Sequence, residues 1–446
     1  MGDKIIKKPI VVVGAGLTGL VVAHELIKKG LSVIVIEKEN QVGGLGRTLN
    51  YNGMKFDIGP HRFYSNNEEI VDYIYQILGS NLKEIKRSSL IYCQGRYFNW
   101  PLSFIDIFNL RFKTLFLILR DFVFNIKIVS IEPEVNYASY IKDRYGKTIY
   151  NIFFKNLSDK FLSCSADKIH WIWAKAGIEK AVIDERIYSR NLKDVALMLF
   201  RSKKFTKNYF YPINGVGMFA DTLMSLIKDK GGVIKTSEEV IDIEIKDKQL
   251  TKVILKNEAI LPSQVIWTAP LTILARILNY KELKLIYHPL QVFFLLFEEQ
   301  DLLKKFQWCY YSDKNISFHR LSIPSCFSSN LAMPGKASII IERSYDKSDE
   351  YSLSPLELKE KILNDLKEIR VVNKTAQIQD ILIKRIDNAY PVYTLDFVEK
   401  KDDFLDYLKV FKNIKLAGRQ GLFWYNNMDE CIENALEVAE GINPLI

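Results

Sequence analysis

Apolar positions in the first forty residues fall into three blocks of different spacing. Ile10 to Val13 is an unbroken β-branched run, the pattern of a strand buried on both faces. Leu20, Ala23 and Ile27 then lie on one helical stripe, and Gly30 stands where a helix ends in a left-handed residue. Val33 to Ile36 is a second β-branched run. Strand, helix, strand in this order predicts a parallel βαβ unit.

Further along, about Ile91 to Lys207 carries long aromatic and basic stretches that predict helices. One of them, Phe104 to Ile128, contains Arg111, Lys113, Arg120 and Asp121, which exclude an uninterrupted membrane span. The same charges suit either a helix half-embedded in a membrane surface or a plain helix walling a substrate domain. Near Tyr211 the pattern changes back, with Pro212, Gly215 and Gly217 in a loop before a helix from about Met218. Gly231 and Gly232 precede four short runs, Val233 to Thr236, Val240 to Ile245, Lys252 to Leu255 and Val265 to Thr268, which are expected to pair antiparallel. Lys281 to Ile386 alternates strands with a helix near Pro355 to Ile369, and Asn413 to Gly441 reads as strand, loop, helix. With no repeat and no low-complexity linker, the expectation is an α/β chain with interleaved domains. A Rossmann-type cofactor domain, a parallel sheet with added antiparallel β, takes 1–90, 208–275 and 405–446. An α+β substrate domain takes 91–207 and 276–404.

Bulk properties narrow the function classes. A chain of 446 residues is long for one core, which agrees with two domains. The net charge of +9 attracts nucleic acid, membrane or an anionic small molecule alike, but no run of five basic residues and no nucleic-acid module occurs, so no nucleic-acid partner is expected. Cys93, Cys164, Cys309, Cys326 and Cys431 are odd in number and lack C-x-x-C spacing, so neither a disulfide framework nor a metal site is expected, and a reducing cytoplasm is. The apolar run after Lys7 and Lys8 leads into glycines rather than a cleavage site, unlike a signal peptide. Nothing in the pattern speaks to oligomeric state.

The glycines carry the first chemistry. In G-A-G-L-T-G, Gly14 permits a tight turn, Gly16 lets backbone approach a pyrophosphate, and Gly19 lets helix and strand pack closely. The helix beginning at Leu17 and Thr18 offers unpaired N–H groups and partial positive charge to phosphate. Glu37, at the end of the second strand and followed by Lys38, can accept from ribose hydroxyls. This much specifies a dinucleotide.

Two further segments carry a family likeness: Val42-Gly43-Gly44-Leu45-Gly46-Arg47-Thr48 with Phe56-Asp57-Ile58-Gly59-Pro60-His61, and Ala417-Gly418-Arg419 through Tyr425-Asn426-Asn427-Met428-Asp429. The chain resembles the FAD superfamily of amine oxidases, protoporphyrinogen oxidases, phytoene desaturases and UDP-galactopyranose mutases. The resemblance implies FAD as cofactor, with Arg47 and the Gly43-Gly44 loop over its pyrophosphate and Gly59, Pro60 and His61 beside its isoalloxazine ring. It further implies Val240 at the adenine, and Gly418, Arg419, Asn427 and Met428 where the last helix points at the flavin. Each has a plainer alternative: a solvated arginine for Arg47, an ordinary turn for Gly59 and Pro60, a core valine for Val240, and helix capping for Asn427 and Met428.

Within that superfamily the mutase branch is most similar, through Gly59-Pro60-His61, Gly95 to Pro101 and the closing motif. Trp424 and Asn427 stand where that motif has arginine and aspartate. The resemblance implies an anionic sugar nucleotide as substrate and a redox-neutral isomerisation that needs reduced flavin. His61 would support the ring, Arg320 would hold a diphosphate, and Tyr390 and Tyr425 would orient sugar or phosphate. A surface arginine and a core tyrosine are the plainer readings of Arg320 and Tyr390. The competing expectation is an FAD oxidase or desaturase of an amine, porphyrinogen or isoprenoid, with peripheral membrane contact through Phe104 to Ile128.

Overall fold

The computed structural model describes residues 8–100, 106, 110–125, 136–179, 208–345 and 354–443. Its central layer is a parallel sheet in the order Ile414–Leu416, Gln264–Trp267, Ile10–Val13, Val33–Ile36, Val233–Lys235. Val11 and Val12 in its middle strand are wholly buried, and each such side chain stabilises the fold by about 1.5–3 kcal/mol. Leu17–Lys28 is the crossover helix, with Leu20 to Ala23 fully buried and the Glu25–Lys28 pair on its outer side. It packs against the closing helix Met428–Glu440. Lys29 Nζ caps that helix, donating to the Ala439 carbonyl at 2.7 Å, where the helix dipole favours a cation. The two ends of the chain are thereby held side by side.

One sequence expectation is corrected here. Of the four runs after Gly232, only Val240–Lys246 and Gln249–Leu255 pair antiparallel, joined by Ala259–Ile260. Val233–Lys235 and Gln264–Trp267 lie parallel in the central sheet instead. The helix Gly217–Asp229 precedes the first of these and acts as a crossover, and Val265, Ile266 and Trp267 are all buried, as a central parallel strand demands.

A second sheet runs Asp380–Val392, Ile286–Glu298, Lys336–Ser344, Arg320–Ser322, Trp308–Tyr311, Ser89–Cys93, Arg96–Asn99. Residues 91–99, expected to open the helical region, form this hairpin at its edge. Cys309 and Tyr311 point into a core with Leu321, Ile339 and Ile341. Trp308 packs on the opposite face with Phe63 and Tyr209. Of the segment Phe104 to Ile128, only Asp106 and residues 110–125 are described, with Phe112–Asn125 helical. Among the described residues no helix is long and apolar enough to cross a membrane.

Candidate functional site

A cleft of about 300 Å³ opens above the carboxyl ends of the central strands, where open α/β sheets place ligands. Glycine geometry explains its floor. Gly14 has φ +103° and Gly19 meets the Gly14 carbonyl so closely that a Cβ there would stand 2.0 Å from it. Gly16, by contrast, has nothing within 4 Å of where its Cβ would be. Two glycines are thus required by packing, and one leaves open space over the cleft.

The Glu37 carboxylate accepts from the Ala15 N–H at 2.8 Å and the Glu39 N–H at 2.9 Å, which fixes it at the rim of the turn. Gly43 N–H donates to the Ala15 carbonyl at 2.8 Å, laying the second glycine loop over the first. Behind this loop, buried Asp57 accepts from the Thr48 hydroxyl at 2.6 Å, from the Tyr211 hydroxyl, and from the Val216 N–H at 3.1 Å. Burial pushes its pKa up to about 6 against the pull of these donors.

From the closing segment, Gly418 (φ +75°) abuts Thr18 at 2.5 Å from a would-be Cβ. Arg419 donates through Nε to the Asn426 carbonyl at 2.8 Å and lies over the Tyr425 ring at 4.5 Å. Asn427 donates its N–H to Glu430 at 2.7 Å and its side chain accepts from the Glu430 N–H, a capping box that starts the closing helix where Met428 lines the cleft.

Most residues singled out from sequence come together in this cleft: Gly14, Gly16, Leu17, Thr18, Glu37, Lys38, Gly43, Gly44, Arg47, His61, Val240, Gly418, Arg419, Asn427 and Met428 line it. Gly19, Gly59 and Pro60 do not, nor do Arg320, Tyr390 and Tyr425. The last three form an adjoining cluster. Arg320 grips Glu342 with two hydrogen bonds, Nε to Oε1 at 2.6 Å and Nη2 to Oε2, and donates to the Tyr390 hydroxyl at 2.9 Å. The Tyr390 and Tyr425 rings are 5.7 Å apart. Burial opposes charge on Arg320, but Glu342 more than offsets it and holds the guanidinium charged.

Glu342 escaped the sequence reading because its role comes from register: it sits opposite Arg320 on the neighbouring strand. It also supports the Gly59-Pro60-His61 turn. Gly59 has φ +91°, and a Cβ there would come 3.2 Å from the Glu342 carboxylate. His61 is carried into the cleft beside these charges. Burial, with Arg419, Arg320 and Arg62 adding to it, pushes its pKa down to about 3, so the imidazole is neutral at physiological pH. Gln420 and Asn388, which sequence reading also missed, complete this end of the cleft.

Three buried polar atoms of the lining have no protein partner among the described residues: Arg47 Nε, His61 Nδ1 and Gln420 Oε1. Buried polar atoms are rarely left so. A ligand with phosphate oxygens at one end and ring hydrogen-bonding groups at the other would offer partners of the kinds they lack.

The model of the flavin-containing amine oxidoreductase family matches residues 17–443. The chain is 38% identical over 71 residues to UDP-galactopyranose mutase of Mycoplasma pneumoniae, which covers 15% of this chain and 18% of that enzyme. It is 24% identical over 282 residues to a neurosporene-forming phytoene desaturase of Rhodobacter capsulatus, covering 57% of this chain and 51% of that one. The chain thus aligns with about half or less of these curated relatives' length. Its fold is similar to that of a reduced UDP-galactopyranose mutase, with TM-score 0.81 and 20% identity over 98% of this chain and 94% of that one. The cleft fits FAD in kind: glycine turns, Arg47 and Glu37 line it together, a lining that could receive a pyrophosphate and a ribose. With a family match across almost its whole length, the chain belongs to the flavin-containing amine oxidoreductases and is an FAD-dependent enzyme.

Proposed function

We propose that this enzyme isomerises an anionic sugar nucleotide without net redox change, with its flavin in the reduced state. The observation that supports this reading is the wall beside His61: Arg419 on Tyr425, Tyr425 against Tyr390, and Tyr390 bonded to Arg320. Such a wall of guanidinium and phenol groups suits phosphate and sugar oxygens better than an aliphatic chain.

FAD supplies hydride or electron-pair chemistry at its ring. The chain's own residues supply binding and orientation. Burial raises Tyr390 and Tyr425 above the usual phenol range, so both hydroxyls stay protonated; Tyr390 donates to Glu342 at 3.4 Å, and Tyr425 can donate to a substrate oxygen. Neutral His61 can accept or donate one hydrogen bond without adding charge beside the ring. In this reading 1–90, 208–275 and 405–446 hold the cofactor, and 91–207 with 276–404 shape the substrate side.

The test is anaerobic incubation of the dithionite-reduced enzyme with a panel of sugar nucleotides, followed by chromatography of the sugars. Ring-isomerised product, absent with oxidised enzyme, is the expected result. Aerobic turnover with peroxide release and no isomerisation would favour the oxidase or desaturase reading. That second reading is supported by the likeness to phytoene desaturase and by an exposed apolar stripe, Phe112, Phe116 and Leu119, flanked by Arg111, Lys113 and Arg120. A stripe of this kind suits an anionic lipid surface.

A further inference from the structure

The polar wall continues past Arg320 along one face of the large sheet. Tyr310 lies opposite Arg320 in register, and the guanidinium carbon is 5.8 Å from its ring. Trp308, two residues earlier on the same strand, presents to the same face. Its ring and that of Tyr209, 6.3 Å apart, form a buried platform.

Two arginines share this platform. Arg62 stands 4.4 Å from the Trp308 ring and 5.0 Å from that of Tyr209. Arg87 stands 5.4 Å and 6.0 Å from the same rings. Their positions follow from chain geometry: Arg62 comes directly after His61, and Arg87 leads into the strand that runs parallel to Trp308–Tyr311. Arg87 is tied by Nε to the Ser89 hydroxyl at 2.6 Å. Among the described residues Arg62 pairs with no carboxylate, and its hydrogen bond is from Nη1 to the Pro60 carbonyl at 3.2 Å.

Charge bookkeeping makes this unusual. Arg320 is neutralised by Glu342, so the candidate diphosphate arginine already has a counter-ion. Among the described residues Arg62 has none, and it faces a like charge. Burial lowers the Arg87 pKa, and Arg62 pushes the same way. Stacking on aromatic rings offsets part of that repulsion. An oxyanion beside Arg62 supplies the missing counter-charge and relieves the repulsion.

We propose that Arg62, seated with Arg87 on the Trp308–Tyr209 platform, forms an oxyanion-binding site for the substrate, separate from the Arg320–Glu342 pair. The oxyanion is the diphosphate of the nucleotide or an acid group on the sugar. Only its source rests on the sugar-nucleotide reading above.

The experiment is calorimetric titration of the FAD-saturated full chain with inorganic pyrophosphate, UDP-galactose and UDP-galacturonate, comparing wild type, Arg62→Gln and Arg62→Lys. Losing a charged, hydrogen-bonded partner weakens binding by about tenfold or more, and Arg62→Lys should recover part of it. Equal weakening for both nucleotides assigns the site to the diphosphate, and weakening for the galacturonate alone assigns it to the sugar acid. Unchanged affinities in Arg62→Gln, with FAD content and melting temperature intact, overturn the site. If wild type binds neither nucleotide, the sugar-nucleotide reading fails and pyrophosphate alone decides. Arg62-dependent pyrophosphate binding then sustains the site, and Arg62-independent or absent binding overturns it. Should Arg62→Gln not fold, phenylglyoxal labelling of the wild-type holoenzyme replaces it. Protection of Arg62 by pyrophosphate is expected, and equal labelling with and without it overturns the proposal.

Discussion

Removing the Glu342 charge is the sharpest perturbation this fold offers. Glu342 is 2% exposed and Arg320 9% exposed, and they meet through two parallel hydrogen bonds. Glu342→Gln leaves the guanidinium buried with no counter-charge. Breaking a buried pair in this way costs about 3–5 kcal/mol, a large share of the roughly 5–15 kcal/mol that holds a typical domain folded. Arg320→Met should cost a similar amount, because it strands the carboxylate beside Gly59. The double variant Arg320→Met with Glu342→Leu strands neither charge, so its loss should be well below the sum of the two singles. The assay is urea unfolding of the FAD-loaded protein, followed in parallel by tryptophan fluorescence and flavin release so that separate unfolding steps are seen. Single losses under about 1 kcal/mol, or a double-variant loss equal to the sum, would refute the claim that Glu342 compensates the buried Arg320 charge. Tyr390→Phe, which removes only the hydroxyl accepting from Arg320, should cost about 1 kcal/mol in the same assay.

Gly16→Ala should leave apoprotein stability within about 0.5 kcal/mol yet weaken FAD retention, because its methyl group meets no protein atom. Gly19→Ala should instead destabilise the apoprotein itself, since its methyl group would collide with the Gly14 carbonyl. Thermal melts and FAD titration separate the two effects. For His61 the folded pKa is depressed to about 3 from 6.5, so the native state binds fewer protons. Its stabilising contribution is present above pH 6.5 and is lost as pH falls toward 3, at a limiting slope of about 1.4 kcal/mol per unit. Asp57 runs the other way, because its folded pKa is raised to about 6 and its contribution is lost as pH rises from 3.8 through 6. Comparing wild type with His61→Gln between pH 6.5 and 4 isolates the histidine, and equal slopes would contradict its neutral burial. Replacing Phe112, Phe116 and Leu119 with Ser should abolish sedimentation with anionic vesicles if this stripe contacts lipid, and leave it unchanged if it does not.

The cofactor end of the site was far more legible in the sequence than the substrate end, and the reason is physical. FAD pyrophosphate sites are built largely from backbone at tight turns, so their requirements are local. Gly14 at φ +103°, Gly43 at φ +100° and Gly418 at φ +75° can be recognised one turn at a time. The substrate end is built from side chains that only sheet register brings together. Glu342 faces Arg320 because two strands pair with one particular offset, and Trp308 falls beneath Arg87 because a parallel neighbour starts at Ser89. Local spacing contains neither fact. The same blindness put Val233–Lys235 and Gln264–Trp267 into an antiparallel meander, since their β-branched runs fit either pairing and their partners lie far away in the chain. Arg62 shows the limit most plainly. It follows His61 in a motif that was read residue by residue, yet its significance depends on Tyr209 and Trp308, about 150 and 250 residues further on. A glycine declares its role through its own backbone, whereas an arginine declares its role only through what lies opposite, and the substrate end proposed for this enzyme is built from residues of the second kind.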